Sequence, residues 1–480
     1  MSKQVGPVDE EAREWAMAQW GRCELGDRRR TARVVGMGGQ MARQPGASLP
    51  GQMGGRDQLK GAYRLLNNRQ VNLSALLKPH LGATRAQAGE GGVVLMIHDR
   101  TTLDFSAHPG TQGVGPVGSR RQRGMLLQSV LAVRCQAGSE AVEAVLGLAH
   151  AQVIVRDEQP SRHNGGQRSA SAEGQAWEVG VQAVGRPPEA APVKWVHVSD
   201  RESDIFEYMA LCGEYGTEYV VRGRWNRALT SGALTSGALI GRTDADEPEA
   251  RLLDAVRHQP ASPASDYTVD VDKTKHAPAR IAHLGVSWCR ASIQPPQHAQ
   301  GHLPLQVGVV RAWEPQPPAG AEPVEWILLT SLPVYTLDDA MRIVRYYECR
   351  WLIEDFHQCL KTGCRYEHSQ LDHALDLQNL LGLAAPIAVR LLQLRQMART
   401  APHLPAAGVI DPVMLRLIHI HFKHRSPLTV TQFWSYVAQL GGYVGNPKRN
   451  PPGWRTLWKG WQLVSAWAQG AHYLAPPLLC

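Results

Sequence analysis

Short apolar runs along the middle of the chain constrain its fold more than any other feature. Each run has the length and composition of a buried strand, and helical segments separate the later ones. The predicted order is three strands, a helix, a strand, a helix and a strand, at residues 93–97, 125–133, 144–148 (continuing toward 155), 172–184, 193–198, 205–211 and 218–222. This order is typical of a mixed α/β sheet covered by helices.

Two aspartates follow the expected ends of two of these strands. Asp99 comes after the first run, and Asp200 comes after the run at 193–198. In open α/β sheets, ligands bind beyond the carboxyl ends of the strands. A single aspartate in such a position is usually a turn former or a helix cap. Because two aspartates occur in such positions, the pair is a candidate functional site.

Residues 223 to about 325 interrupt this pattern. The segment contains many prolines and glycines, a perfect duplication at 228–232 and 233–237, and short alternating runs such as the one at 267–271. These features predict a β-rich insertion with a tolerant loop. The run at 326–332 then predicts a strand that returns to the main sheet.

The first 75 residues are rich in helix formers and arginine. Asp27 occupies a predicted N-cap, and a second helix is expected at 56–66 with Lys60 and Arg64 one turn apart. Four arginines follow the cap: Arg28, Arg29, Arg30 and Arg33. Because cations are unfavourable at a helix N-terminus, phosphates of DNA would supply compensating charge. The alternative is a surface-charged helical cap on the domain behind it.

The C-terminal part is predicted to be helical. Residues 373–396 are strongly apolar. Their most apolar part, 380–394, is interrupted by Pro386 and Arg390 and is too short to span a bilayer. The tryptophans near the end are expected to pack against a core or a partner: Trp454, Trp458, Trp461 and Trp467. Since no signal peptide is recognisable, we expect a soluble cytoplasmic protein without a membrane partner.

The composition is that of an ordinary globular protein with a mild basic excess. The 480 residues carry a formal charge of +8, which favours a polyanionic partner. The eight cysteines have no regular spacing and indicate reduced thiols. A zinc site built from the nearby set of His357, Cys359, Cys364 and His368 is not expected, because Cys359 lies on a predicted buried helix face.

The stretch from 347 to 361 carries an unusual polar stripe. Read as one helix, it brings Tyr347, Arg350, Glu354 and Lys361 within an arc of about 60°. The opposite face is apolar and contains Cys349, Leu352, Ile353, Phe356, Cys359 and Leu360. One interpretation is a solvated face with an Arg350–Glu354 ion pair. The other is a carboxylate that holds a metal ion beside a phosphate.

Asp99, Asp200 and Glu354 together would form a cage of oxygen ligands. Such ligands suit Mg²⁺ or Mn²⁺, and two ions about 4 Å apart support displacement at phosphorus. Glu348 and Asp355 project away from the stripe, so Glu354 is the preferred helical ligand. The fallback ligands, or caps, are Asp104, Glu202 and Asp204.

The Tyr-x2-Arg-x3-Glu-x6-Lys spacing at 347–361 resembles the YREK signature of a group of bacterial insertion-sequence DDE transposases. The similarity covers nearly the whole chain. It extends to 25–33 (LGDRRRTAR), 61–64 (GAYR), 200–205 (DRESDI), 219–222 (YVVR), 326–331 (WILLTS) and 388–394 (AVRLLQL).

The resemblance implies an N-terminal helical domain that binds transposon ends (1–75), an RNase H-like catalytic domain with the β-rich insertion (76–372) and a C-terminal dimerisation domain (373–480). It also implies that Asp99, Asp200 and Glu354 bind metal. The residues that it places on DNA near the scissile bond are Tyr347, Arg350, Lys361, Arg222 and Trp326, the last stacking on a flipped base during hairpin formation.

One departure from the family pattern is Arg100, which separates Asp99 from Thr101 and Thr102. It leaves the metal-ligand role of Asp99 intact and puts a hydroxyl role next to it in question. The expected function is Mg²⁺-dependent cut-and-paste transposition by a dimer that binds inverted repeats in double-stranded DNA. The alternatives are a catalytically silent DNA-binding relic and a metal-dependent nuclease without strand transfer.

Overall fold

The computed structural model describes residues 7–118, 121–157, 172–189, 192–229, 235–236, 251–263, 267–271, 279–445 and 452–474. Within these ranges the strands join one mixed sheet, with helices over the sheet and at both ends of the chain. The helices are α1 Pro7–Trp20, α2 Arg28–Arg43, α3 Leu49–Met53, α4 Arg56–Leu66, α5 Leu73–Ala88, α6 Ala172–Val184, α7 Phe206–Glu214, α8 Leu252–Arg257, α9 Leu337–Glu348, α10 Trp351–Gln358, α11 Ala374–Thr400, α12 Pro412–His421, α13 Val430–Leu440 and α14 Trp454–Leu474. The strands are β1 Gly92–Asp104, β2 Gly115–Pro116, β3 Arg123–Cys135, β4 Val142–Ile154, β5 Val193–Ser199, β6 Glu218–Arg222, β7 Thr235–Ser236, β8 Tyr267–Val271, β9 Arg280–Ile293, β10 Leu305–Trp313 and β11 Glu325–Thr330.

The predicted strand–helix order is confirmed through β6. The first part of the sheet has the order β4-β3-β1-β5-β6, in which β1, β5 and β6 are parallel and β3 and β4 are antiparallel neighbours. The parallel strands are buried apolar runs, as expected for strands covered on both faces. The carboxyl ends of β1, β5 and β6 therefore meet at one edge, which we call the carboxyl edge.

The predicted β-rich insertion contains β7–β10, and its strands continue the main sheet. β11 pairs antiparallel with β6, and β10 and β9 extend the sheet beyond β11. The sheet is therefore continuous across residue 223, where the sequence becomes rich in proline and glycine. Most of the duplication at 228–237 lies outside the described residues.

The N-terminal helices pack on the core through specific buried bonds. Trp20 Nε1 donates to the carbonyl of Gly382 at 3.1 Å, and Asn379 Nδ2 donates to the carbonyl of Leu66 at 2.7 Å. The predicted cap is confirmed, because the Asp27 carboxylate accepts from the backbone N–H of Arg29. The bounds of α4 also agree with the prediction.

The helix α11 runs through the centre of the molecule and connects its parts. It is long and apolar enough to cross a membrane by length and composition, but its apolar part is 83% buried inside the fold, as in a core helix. Beyond it, Trp434 and Trp461 stack with ring centroids 5.2 Å apart, and Trp458 is also buried. The expected tryptophan packing is confirmed for Trp458 and Trp461. The side chain of Trp454 lies outside the described residues.

Candidate active site

Asp99 and Asp200 occupy matching positions on adjacent parallel strands. Ile97 of β1 is aligned with Val198 of β5, and each aspartate lies two residues farther along the chain. Asp200 follows β5 as predicted, and its carboxylate accepts from the backbone N–H of Glu202 at 2.9 Å. Asp200 thus caps a short 3₁₀ turn while it lies at the carboxyl edge.

The prediction that Asp99 lies past a strand end is wrong. β1 continues to Asp104, because its antiparallel pairing with β3 extends to the Asp104–Gly124 pair, well beyond its parallel pairing with β5. Asp99 is therefore held within a strand. Its backbone is fixed on one side by β3, which gives the carboxyl group a defined position.

The stretch from 347 to 361 is not one helix, which corrects the angular argument. α9 ends at Glu348, α10 begins at Trp351, and a π turn follows at Cys359–Gly363. At the junction Arg350 N bonds to the carbonyl of Tyr347 at 3.0 Å, a tighter spacing than in an α-helix. The two helices separate because α9 packs on β9, β10 and the β5–β6 region, whereas α10 packs on β1 and α11.

The junction places Arg350 between two of the predicted ligands. Its Nη2 donates to Glu354 Oε1 at 2.6 Å, and its Nη1 lies 4.0 Å from Asp99 Oδ1. The guanidinium also lies over the rings of Tyr347 and Trp351. The expected Arg350–Glu354 pair therefore exists, and it joins a buried arginine to a glutamate whose side chain is 40% exposed.

The charges of Asp200 and Glu354 act on Asp99. Burial raises the pKa of Asp99 to about 7; Arg350 opposes this effect, and the negative charges of Asp200 and Glu354 add to it. Elements distant in sequence therefore bring three carboxyl groups into electrostatic contact. The sequence could place these residues at one edge only through the strand-end argument and the motif.

A metal ion would find suitable donor atoms here, although no preformed cage. Three carboxylates are the donor set that hard divalent cations prefer, and burial, which raises the pKa of Asp99, favours a cation beside its charged form. Within the part of the chain that the structure describes, no three His, Cys, Asp or Glu side chains already stand close enough to hold an ion. The donor chemistry fits Mg²⁺ or Mn²⁺, and Arg350 occupies part of the space between the carboxylates.

His357 is a site residue that the sequence analysis missed. Its Nδ1 lies 3.6 Å from Asp99 Oδ2. Burial lowers the pKa of His357 to about 3, and Lys361 and Arg350 act in the same direction, so the ring is neutral. A signal was available, since His357 follows Glu354 by three residues and shares its helix face.

The competing carboxylates have other partners. Asp104 accepts from the backbone N–H of Ser106 at 2.9 Å. Asp355 pairs with Arg395 at 2.7 Å, and Glu348 accepts from the hydroxyl of Tyr267. Asp204, another fallback ligand, is buried in an ion pair with Arg227. These contacts leave Glu354 as the carboxylate of its segment that acts on Asp99.

Arg100 faces away from the aspartates. Its guanidinium pairs with Glu202, and it lies 3.6 Å from Glu173 of α6. Since side chains alternate along a strand, Thr101 falls on the same face as Asp99. The departure from the family pattern therefore leaves one hydroxyl on the face that carries the site.

Tyr347 and Trp326 form a buried pair beside Arg350. Their ring centroids are 5.4 Å apart at an interplanar angle of 64°, and Trp326 is 9% exposed. A base could stack on Trp326 only after this packing opens, so its stacking role stays a prediction. Arg222 donates to the carbonyl of Glu325 at 2.8 Å, and Lys361 Nζ lies 3.7 Å from Glu367.

Basic side chains of α2 and α4 form one surface. Arg33 lies against Gly61, where an added Cβ would come within 1.7 Å of the guanidinium, and Lys60 and Arg64 flank Gly61 on α4. We call Arg33, Lys60 and Arg64 the basic surface. Among the other predicted arginines, Arg29 pairs with Asp27 at 2.9 Å and Arg30 donates to the carbonyl of Leu25 at 2.7 Å.

Comparison with known families matches both ends of the chain. Residues 12–71 match the family described as transposase DNA-binding. Residues 386–476 match the family described as transposase Tn5 dimerisation domain. With the mixed α/β sheet between them, these matches support a DNA transposase that binds DNA and forms a homodimer. More particularly, they support a transposase family like that of Tn5.

Proposed function

We propose that this chain is a metal-dependent DDE transposase whose catalytic carboxylates are Asp99, Asp200 and Glu354. The observation that carries the proposal is geometric: Arg350 donates to Glu354 of α10 at 2.6 Å and lies 4.0 Å from Asp99 of β1, and Asp200 follows the neighbouring strand β5 in register. The site lies between the segments that match DNA-binding and dimerisation families. Three carboxylates drawn together there by a divalent cation would suit chemistry on a DNA phosphate.

We further propose that residues 76–372 form an RNase H-like domain, with the end-binding domain at 1–75 and the dimerisation domain at 373–480. The support is the strand order β4-β3-β1-β5-β6 with its parallel centre. Asp200 follows the carboxyl end of β5, where open α/β sheets bind ligands, and Asp99 lies in register with it within the neighbouring parallel strand β1. The β-rich segment after β6 is then an insertion that extends this sheet.

Asp99, Asp200 and Glu354 would hold Mg²⁺ or Mn²⁺, with two ions in each site. Such ions activate a water or a 3′-hydroxyl and stabilise the leaving oxygen. Arg350 balances the carboxylates before DNA arrives and then turns toward a backbone phosphate. Tyr347 and Lys361 contact neighbouring phosphates, and neutral His357 supports Asp99.

The reaction that these residues serve is cut-and-paste transposition. The basic surface binds the transposon end, and a dimer brings two ends together, each subunit cutting the end that its partner binds. Nicking, hairpin formation, hairpin opening and joining of the 3′-hydroxyl to target DNA then follow. Trp326 receives a flipped base during the hairpin step, after its contact with Tyr347 opens, and Arg222 lines the same groove.

The test compares Glu354→Gln with Glu348→Gln on duplexes that carry the DNA flanking the reading frame. Glu354→Gln should lower Mg²⁺-dependent cleavage by at least about 100-fold, because even groups behind metal ligands cost 10- to 100-fold. It should leave end binding unchanged. Glu348→Gln, six residues earlier, should retain cleavage. Equal cleavage by the two variants would remove Glu354 from the triad.

The products of the same assay separate the alternatives. A silent relic would bind the flanking duplex without cutting it in Mg²⁺ or Mn²⁺. A nuclease would cut it and yield no joined products. Hairpin intermediates and joined products together identify a transposase.

A further inference from the structure

Asp204 is a carboxylate near the site that the proposed reaction does not use. It follows Asp200 by four residues and is 2% exposed. Its Oδ2 accepts from the backbone N–H groups of Arg224 and Trp225 at 2.7 and 2.8 Å. Its Oδ1 accepts from Arg227 Nε at 3.1 Å. Both carboxylate oxygens of Asp204 thus accept hydrogen bonds from the segment 222–227, which we call the β6 loop.

The β6 loop is also fixed from its other side. Asn226 Nδ2 donates to Asp254 at 2.7 Å, and Asn226 Oδ1 accepts from the backbone N–H of Leu253 at 2.8 Å. The carbonyl of Arg227 accepts from the backbone N–H of Leu252 at 2.9 Å. Most polar groups of the loop are therefore used in hydrogen bonds that hold its shape. Breaking the bonds to Asp204 would be costly, because a buried carboxylate would be left without partners.

Two side chains of the β6 loop point outward. Arg224 lies over the ring of Trp225 at 5.0 Å, and Trp225 is 41% exposed. The loop starts at the carboxyl edge, because β6 is parallel to β5 with Val221 aligned to Ser199, next to Asp200. A cation and an aromatic ring, held together on a rigid loop, thus lie beside a predicted catalytic aspartate.

We propose that Asp204 is a positioning residue that holds the β6 loop so that Arg224 and Trp225 contact a single DNA strand at the active site. The inference rests on the proposed function, since it assumes that DNA enters at Asp200. An aromatic ring stacks on any base, and an adjacent arginine meets the strand's phosphate. Asp204 thereby links the metal-binding turn and the strand-binding loop into one unit.

Limited trypsin digestion tests the positioning role directly. In Asp204→Asn, the loop loses the charge that pairs with Arg227, and cleavage after Arg224 and Arg227 should rise at least about tenfold, as followed by mass spectrometry. The control is Glu314→Gln, which removes a comparably buried ion pair, that with Arg280, from the β-rich segment. Glu314→Gln should leave cleavage in the β6 loop unchanged.

Strand binding is tested with fluorescein-labelled oligodeoxythymidine of 12 nucleotides, in EDTA. Trp225→Ala should weaken binding about tenfold through lost stacking. Asp204→Asn should weaken binding similarly, and the double variant should show no further loss, because both act through the same contact. Arg224→Gln should lower the salt dependence of binding by about one phosphate contact. A fully paired duplex of 12 base pairs should distinguish these variants much less.

Unchanged trypsin cleavage in Asp204→Asn would overturn the positioning role, and unchanged strand binding by Trp225→Ala would overturn the contact. Trp225→Ala and Arg224→Gln alter exposed side chains, so this second result stands even if Asp204→Asn fails to fold. Neither measurement needs catalysis. A wild-type protein that binds the strand through this loop but never cleaves DNA would refute the proposed reaction alone.

Discussion

At the scale of single residues, His80 shows how burial fixes a protonation state. Its Nε2 accepts from the backbone N–H of Leu148 at 3.1 Å, so its Nδ1 carries the proton that faces Gln19 Oε1 at 2.7 Å. Burial lowers the pKa of His80 to about 4. A second proton would break the bond to Leu148, which connects α5 to β4.

This depressed pKa makes stability depend on pH. The folded protein resists protonation of His80, whereas the unfolded chain accepts a proton near pH 6.5. The neutral ring therefore contributes fully to the free energy of unfolding above pH 6.5, and this contribution is lost as the pH falls toward 4. Between pH 7 and pH 4, His80 should remove about 3 kcal/mol from the free energy of unfolding. Urea unfolding of wild type and His80→Gln at both pH values measures this difference. Parallel pH profiles would contradict it.

Arg350 yields a second prediction at the residue scale. Because its charge competes with a metal ion for Asp99 and Glu354, Arg350→Gln should lower the half-saturating Mg²⁺ concentration for cleavage by about threefold or more. The maximal rate should fall, since the phosphate contact is lost. Cleavage measured against Mg²⁺ concentration separates the two effects. The control is Arg345→Gln on α9, which removes a charge that pairs with Glu140. It should change neither the half-saturating Mg²⁺ concentration nor the maximal rate.

The sequence gives part of this residue-scale picture. The strand-end argument indicates Asp200 correctly, but it misplaces Asp99, which pairing with β3 holds inside β1, and motif spacing alone indicates Glu354 on a helix. The spacing gives no sign that Trp326 and Tyr347 cover each other or that Asp204 binds a distant loop. Those contacts depend on side-chain packing between elements that are far apart in sequence.

At the scale of elements, the break between α9 and α10 shows where periodicity stops being informative. An angular count assumes one continuous helix, but the two halves pack against different strands, and tertiary packing overrides the local pattern. The opposite case is α6, whose bounds at Ala172 and Val184 agree with the prediction. α6 is one unbroken helix, so the period that its sequence shows is preserved.

The pairing of α2 with α4 leads to a prediction about DNA binding. Changing Arg33, Lys60 and Arg64 together to Ala should weaken end binding and reduce the slope of log affinity against log salt by about 2.7, for three phosphate contacts. Arg29→Ala should change the slope little, because Arg29 already pairs with Asp27. Filter binding at several salt concentrations gives both slopes. A larger effect from Arg29→Ala would place the DNA at the helix N-terminus instead.

At the scale of the whole molecule, α11 holds the parts together. It accepts the indole N–H of Trp20 through Gly382, donates to Leu66 through Asn379 and reaches α10 through Arg395. The apolar composition of this helix was evident from the sequence, and its central position was not. Composition reports that a segment is buried without saying which elements bury it.

Damage to α11 should therefore destabilise the N-terminal helices and the sheet together. Leu381 is fully buried, and Leu381→Ala should lower the free energy of unfolding by about 2–5 kcal/mol. Leu375→Ala on the same helix removes a side chain that is 68% exposed and should cost less than about 0.5 kcal/mol. Guanidinium unfolding monitored by far-UV circular dichroism and by trypsin sensitivity of α2 tests both. Separate transitions for the two probes would show that α11 does not couple them.

Because Arg33 lies so close to Gly61, a substitution at position 61 can move the positive charge of Arg33 without changing the net charge of the protein. A methyl group at position 61 would displace only the flexible end of Arg33, so the fold tolerates it, and alanine favours a helix over glycine by about 1 kcal/mol. Gly61→Ala would thus keep every basic residue of the chain while displacing the Arg33 guanidinium from its place between α2 and α4. Glycine at this position therefore determines where the Arg33 guanidinium lies, although it carries no functional group of its own.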